Sequence, residues 1–245
     1  MNRSLVAALA ALALLAPAAA SPASPDPVAL ADLLAASDLF ARAPAEFRAE
    51  IEVGRIGSDG TSRLEIHRKG PDLELVRFLA PKERGKFLLR RGEDLWFLAP
   101  GSRKPVLLAP SYRVYGASLH DLVGLDLARD YRIEGSSEAG GVVTFELAAA
   151  APRAASPRIT WVVSRTTRRP LRADMKAASG KVLRVLEFKS WRDAERGVPE
   201  RLVAKDVVAG GAPLDIRFVA FEPRPVDPRL FDLQDASARA ALAIP

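Results

Sequence analysis

Few side chains in this chain are equipped for covalent chemistry. It contains no cysteine and only two histidines, His67 and His120. A thiol nucleophile is excluded, and a zinc site or an imidazole base has almost nothing to be built from. His120 stands beside Asp121, but no nucleophile-elbow motif or Gly-rich oxyanion loop accompanies the pair. His67 falls on the polar face of an alternating segment. The neighbouring carboxylates Glu93-Asp94 and Asp193/Glu195 fall in turns and read as solvated. Gly140-Gly141 and Gly210-Gly211 read as hairpin turns rather than a phosphate cradle. The expectation is a protein that is not an enzyme, with no catalytic residue, no metal site and no cofactor.

What the chain offers instead is broad apolar surface, so the elements that carry it decide the reading. The N-terminus has a basic start, Asn2-Arg3, then an apolar stretch from Leu5 to Ala16, then Pro17-Ala18-Ala19-Ala20 before Ser21. Those are the three parts of a secretory signal peptide. The apolar stretch falls short of the about 20 residues that span a bilayer. Cleavage after Ala20 is expected, leaving one domain over residues 21–245. No cysteine follows the signal to be acylated, so this protein is not itself anchored by that route.

Asp26-Pro27 reads as a helix cap followed by proline at the first helical position. Leu30, Leu33, Leu34, Ala36 and Phe40 then recur at helical spacing, predicting one amphipathic helix over residues 28–41 that Pro44 closes. Alone it has nothing against which to bury its apolar stripe. Almost everything after it alternates. Strands are expected at 46–56, 61–69, 73–80, 86–90, 94–98 and 104–108, and again at 130–134, 142–148, 158–164, 171–177, 181–191, 201–208 and 214–221. Short strands with polar turns between them predict antiparallel meanders in one curved sheet. Ser118-Leu119-His120-Asp121-Leu122-Val123 reads as a short helix or a connector, 148–157 as a small flexible loop, and Pro228-Arg229-Leu230-Phe231 as a compact turn.

Several strands are apolar on both faces. Leu95 and Phe97 sit opposite Trp96 and Leu98, and Leu186 and Phe188 sit opposite Leu183 and Val185. An antiparallel sheet with one wet face should alternate cleanly. Something therefore covers the concave face, and the long helix is the available cover, with Leu30, Leu33, Leu34 and Phe40 as its buried side. Two readings stay open: a container with a lid, or a solidly packed barrel core.

The run Arg91-Gly92-Glu93-Asp94-Leu95-Trp96-Phe97-Leu98-Ala99-Pro100 resembles the "D-G-x-x-L-W-x-Y-x-P" stretch of the outer-membrane lipoprotein-sorting (LolA-like) carriers. Val76-Arg77-Phe78-Leu79-Ala80-Pro81, Gly85-Lys86-Phe87-Leu88-Leu89 and Ser118-Leu119-His120-Asp121-Leu122 resemble a longer subfamily of the same proteins. The chain departs from the pattern at Leu98, where tyrosine is usual, and at Arg68-Lys69-Gly70-Pro71, where the family has "R-P". The resemblance implies a mainly β half-open barrel, its concave face covered by an N-terminal helix and a short mid-chain helix. It implies a soluble periplasmic carrier that shelters acyl chains of lipid or lipoprotein on the way to the outer membrane. An inner-membrane transporter or exporter and an outer-membrane acceptor would be its partners. Arg68 is the nearest match to the arginine that helps close the family's lid.

Each buried CH₂ is worth about 0.8 kcal/mol, so a chain of about sixteen carbons needs roughly 13 kcal/mol of replacement burial. The residues suited to supply it are Phe78, Phe87, Trp96, Leu98, Trp161, Met175, Phe188 and Phe218. A second class of function on the same half-barrel is a periplasmic sensor that binds a membrane protein partner. Those sensors carry an extra C-terminal domain, whereas only a short tail follows Phe231 here. The charges, 36 basic against 30 acidic, are scattered rather than blocked. A nucleic-acid partner is not expected, and a monomer is. The mild basic excess suits either an anionic lipid surface or an ordinary solvated one.

Overall fold

The computed structural model describes residues 27–232 apart from 101, 103, 110–111, 115–116, 119–124 and 153. The expected signal peptide, and the expected mid-chain helix beyond Ser118, lie outside the described residues. Helix α1 (Pro27–Ser37) leads into β1 (Glu46–Arg55), β2 (Thr61–Lys69), β3 (Leu73–Phe78), β4 (Phe87–Arg91), β5 (Asp94–Leu98) and β6 (Val106–Leu108). A two-residue pair, β7 (Arg113–Val114) with β8 (Ala117–Ser118), and a single helical turn, α2 (Leu127–Asp130), come next. The second meander follows: β9 (Tyr131–Ala139), β10 (Val142–Ala149), β11 (Arg158–Ser164), β12 (Pro170–Lys176), β13 (Val182–Asp193), β14 (Val198–Asp206) and β15 (Leu214–Pro223). A 3₁₀ turn at Pro228–Phe231 closes the described chain, where the compact turn is expected.

Thirteen strands form one antiparallel sheet in the order β6-β5-β4-β3-β2-β1-β15-β14-β13-β12-β11-β10-β9. The two meanders join at the centre, where β1 pairs with β15, Val53 lying opposite Ile216. No pairing joins β6 to β9, so the sheet is curved but not closed into a barrel. Register shifts at Glu50/Ile51, Glu146/Leu147, Val162/Val163 and Met175/Lys176 supply local bends.

The inner face carries the main core. Phe47, Ala49, Ile51 and Val53 of β1, Leu64 and Ile66 of β2, and Ile216 and Phe218 of β15 are buried there with Leu30, Leu33 and Leu34 of α1. The outer face carries a second apolar cluster over β3–β5: Leu75, Phe87, Leu89 and Leu98 under Val226 and Phe231. The segment after β15 lies on that cluster as a strap. Val226 N donates to Glu46 Oε2 at 2.7 Å, Lys69 Nζ to the Val226 carbonyl at 3.4 Å, and Arg91 to the Phe231 carbonyl at 2.7 Å.

The helix is shorter than its periodicity predicts. It stops at Ser37, Phe40 takes a positive φ of 58°, and the Phe40 amide donates to the Gly197 carbonyl at 3.0 Å. Gly197 makes that approach possible. It has φ of +70°, and a Cβ there would stand 3.3 Å from the Asp38 carbonyl oxygen. The segment 148–157, expected to be flexible, is tied down at Ser156. Its amide donates to the Tyr131 hydroxyl at 3.1 Å, and its Oγ donates to the Lys176 carbonyl at 2.6 Å.

Candidate functional site

The region best suited to hold a ligand is the inner face beneath α1. It is filled by side chains: Trp161, Phe145, Phe47 and Phe218 are at most 1% exposed. Trp161 meets Phe188 edge-on at 5.4 Å, and Phe188 stacks on Trp191 at 6.2 Å. Phe40, just beyond α1, lies 5.1 Å from Phe47 and 5.7 Å from Phe218.

The end of α1 is fixed to this face by buried polar bonds. Trp161 Nε1 donates to Ser37 Oγ at 2.9 Å, and Ser37 Oγ donates to the Leu34 carbonyl at 2.8 Å. The indole N–H, buried among apolar rings, thus finds an acceptor on the helix itself. The Asp38 carboxyl accepts from its neighbour Leu39 N at 2.7 Å and from Leu127 N at 2.8 Å. Leu127 is the first residue of α2, whose cap is Asp126 accepting from Arg129 N at 3.3 Å. One carboxyl therefore ties the end of one helix to the start of another. Burial pushes the Asp38 carboxyl up to about 7, with Asp126 adding repulsion, while the two amides and Arg68 pull the other way.

Beside this junction lies a cleft of about 300 Å³ lined by Asp38, Phe40, Ala43, Arg68, Leu125 and Asp126, among others. Arg68 stands at its rim. Its Nε donates to the Gly70 carbonyl at 3.1 Å, it is 3.6 Å from Glu74, and its guanidinium lies 5.9 Å from the Phe47 ring centre. Glu74 also accepts from Arg90 Nε at 2.7 Å. Register places Arg68, Glu74 and Arg90 side by side across β2, β3 and β4. A charged ladder thus borders the apolar inner face where the helix ends.

The structure divides the aromatic set expected to line a single cavity. Phe78, Trp161, Met175, Phe188 and Phe218 lie together in the inner core with Leu30, Leu33, Leu34 and Phe40. Phe87, Trp96 and Leu98 lie with the cluster on the opposite face, under the strap. Strand alternation is the reason. In β4 it is Leu88, and in β5 Leu95 and Phe97, that join the inner core. Sequence reasoning missed Ser37, Asp38 and Leu127. A Ser-Asp pair ending an amphipathic helix is a visible signal, but its partners lie 124 and 89 positions away.

On the outer face, His67 is buried rather than solvated, 2.7 Å from Glu65. Burial alone would raise Glu65, but His67, Arg77 and Arg48 outweigh it and hold the carboxyl down at about 2. His120 lies outside the described residues. Among the described residues no group of three or more His, Asp or Glu side chains could hold a metal ion. None of their helices is long and apolar enough to cross a membrane.

A family model described only as "-like: Uncharacterized protein" matches residues 70–234. No curated protein matches the sequence. Among solved structures, a LolA superfamily protein from Nitrosomonas europaea superposes with a TM-score of 0.70 at 18% identity, covering 82% of this chain and 96% of its own. A putative outer membrane lipoprotein-sorting protein domain from Vibrio parahaemolyticus gives 0.63 at 12% identity, covering 85% and 97%. A DUF1329 family protein from Desulfovibrio piger gives 0.63 at 18% identity, covering 87% and 99%. At these identities the likeness is one of fold, and it matches the fold that the Trp96 run implied.

Proposed function

From a chain that belongs to the family of uncharacterized proteins matched over residues 70–234, and that has the LolA-like fold, we propose a periplasmic carrier for the acyl chains of lipid or lipoprotein. The observation that supports this most directly is the cover over the inner face. The interior peptide groups of α1 bond within the helix, so it can leave the sheet with that ladder intact. What holds it is apolar contact through Leu30, Leu33 and Leu34, together with polar bonds such as those of Ser37 and Asp38 at its end. An acyl chain that takes the place of those leucines exchanges one apolar contact for another.

The mechanism needs no covalent step. Entry of an acyl chain displaces α1 from Trp161, Phe188 and Phe218, and the Ser37 and Asp38 bonds break. Release restores them and recloses the face. Arg68, at the cleft beside Asp38, is placed to favour the closed position by its charge. Export by the N-terminal signal would bring the protein to the periplasm, between a membrane exporter that loads it and an outer-membrane acceptor that unloads it. The cargo class follows the printed description of the Vibrio domain as lipoprotein-sorting.

Native mass spectrometry of protein purified from the periplasm tests this, followed by organic extraction and lipid analysis. A stoichiometric phospholipid or acylated peptide is the expected result. A clean apo mass, with no uptake of a fluorescent fatty acid, would overturn the carrier reading and favour a packed sheet that serves a protein partner.

A further inference from the structure

Two hairpin tips stand side by side at one end of the sheet. The turn after β1 carries Ile56, whose amide donates to the Pro213 carbonyl at 2.9 Å, and Arg55 donates to the Ala212 carbonyl at 3.2 Å. Those acceptors belong to the turn between β14 and β15, which also carries Val207 and Val208. Arg113 of β7 pairs with Asp206 at the base of the same turn. Its neighbour Tyr112 lies 6.4 Å from the Phe97 ring, and Phe97 pairs with Val106 of β6. The bonds around α1 go to the other end of the strands, where Phe40 meets the Gly197 turn and Arg168 donates to the Asp32 carbonyl at 3.3 Å.

Apolar side chains gather at these tips. Of the eight large hydrophobic residues left exposed among the described residues, six are here: Ile56, Val106, Leu107, Tyr112, Val207 and Val208. Val208 is 61% exposed and Val106 58%. Scattered exposed apolar residues are ordinary, whereas a cluster of them marks an interaction surface. The turns themselves do not require them, because Gly57, Gly210 and Gly211 supply the positive φ values and polar residues serve the remaining positions.

The charge around the cluster is mostly of one sign. Leu79 N donates to the Arg63 carbonyl at 2.9 Å, and a Cβ on Gly85 would stand 3.7 Å from Pro100, so the 79–86 and 99–105 loops lie at this end too. Arg55, Lys82, Arg84, Lys104, Arg113 and Lys181 are exposed around the tips. The carboxylates of these loops are Asp59, Glu83 and Asp206. Glu83 is buried, Asp206 is half-buried against Arg113 and the Val208 and Ala209 amides, and only Asp59 is exposed.

We propose that this end of the sheet, formed by the 55–61 and 206–214 tips with β6 and Tyr112 beside them, docks on an anionic phospholipid surface. Ile56, Val207 and Val208 enter the headgroup boundary while the basic rim meets the lipid phosphates. Apolar side chains carried on separate turns and spaced among cations suit a fluid interface, which closes around each of them and needs no matching shape. The surface stands whether or not the protein carries an acyl chain. On the carrier reading, docking by the tips leaves α1, bonded at the other end, clear to move.

The test is co-flotation of protein purified from the periplasm with large unilamellar vesicles. One set is phosphatidylglycerol mixed with phosphatidylethanolamine, and the other is phosphatidylcholine alone. Binding to the anionic set, lost at high salt, is the expected result. Lys181→Ala should weaken it about fivefold, the scale of one basic residue at such a surface. The double variant Val207→Asp/Val208→Asp should weaken it by about tenfold or more, and Leu171→Asp, an exposed apolar position away from the tips, should leave it unchanged. Absence of binding to anionic vesicles, or equal loss in the Leu171 and valine variants, would overturn the proposal. So would a dimer in analytical ultracentrifugation that the valine variant abolishes, in a chain that ignores vesicles, since the patch would then belong to a second copy. Uptake of a fluorescent fatty acid without vesicles separates this surface from the carrier reading. Uptake with no vesicle binding keeps the carrier and sinks the docking surface, and vesicle binding without uptake does the reverse.

Discussion

Two faces of the same sheet bury apolar clusters under a covering segment, and the covers differ in kind. On the inner face the cover is α1, a helix whose peptide groups bond to one another and whose grip on the sheet is mostly apolar side chain. On the outer face the cover is the strap ending at Phe231. Its backbone leans on sheet side chains: Glu46 accepts from Val226 N, while Lys69 and Arg91 donate to the Val226 and Phe231 carbonyls. Lifting the strap would strand those groups, and an unpaired buried polar group costs about 1–3 kcal/mol. Lifting the helix breaks the Trp161–Ser37, Leu127–Asp38 and Arg168–Asp32 bonds as well, but the interior peptide groups of the helix stay paired with one another. On the carrier proposal, the inner face is the one expected to open, because its cover carries its own backbone ladder with it.

Substitutions under the two covers should separate stability from uptake. Phe231→Ala should lower unfolding free energy by about 3–5 kcal/mol, and Leu34→Ala by about 2–5 kcal/mol, measured by urea denaturation. Only Leu34→Ala should speed uptake of a fluorescent fatty acid, because only it loosens the inner cover. Equal acceleration by both would erase the distinction between the faces.

Two of the buried carboxylates, Asp38 and Glu65, should respond to pH in opposite senses. Asp38 has a folded value raised from 3.8 to about 7, so the folded state binds the extra proton between those limits. Its contribution to stability therefore declines as pH rises from about 4 to about 7, with a slope approaching about 1.4 kcal/mol per pH unit. Glu65 is depressed from 4.5 to about 2, so its contribution is present above about 4.5 and lost as pH falls toward 2. Asp38→Asn should reduce the decline between pH 4 and 7 without removing it, since Asp130 is raised to about 6 by burial and by Asp126. Urea midpoints across that range read the effect, and an unchanged slope in Asp38→Asn would show that Asp38 is ionised in the folded state.

The smallest effect is expected from the Ser37 pin. Ser37→Ala leaves the Trp161 indole N–H buried without its acceptor, for a loss of about 1–3 kcal/mol. Stopped-flow uptake should be faster in this variant. A slower rate would mean that Ser37 contacts cargo rather than holding the lid.

Alternation made the strands legible. Those at 61–69, 94–98 and 158–164 coincide with β2, β5 and β11, and the others differ by a few residues at their ends. The face on which Phe87, Trp96 and Leu98 lie was not legible. Strands β4 and β5 are apolar on both sides, and such strands give the pattern no wet face from which to choose. Helical periodicity ran on to Phe40 because Leu39 and Phe40 are buried, although a positive φ at Phe40 ends any helix before it. The pin of Asp38 to Leu127 and the pairing of β1 with β15 join positions far apart in the chain, beyond the reach of local spacing.

Hydrogen exchange read by mass spectrometry, with and without a bound fatty acid, tests the opening of the inner face most directly. An isolated helix shorter than about 12–15 residues is marginal in water, so a displaced α1 should lose protection. Amides of residues 30–37 should exchange faster in the loaded protein, while residues 226–231 keep their rate. Protection of residues 30–37 that survives loading, or loosening of the strap in its place, would contradict the assignment of α1 as the cover that moves.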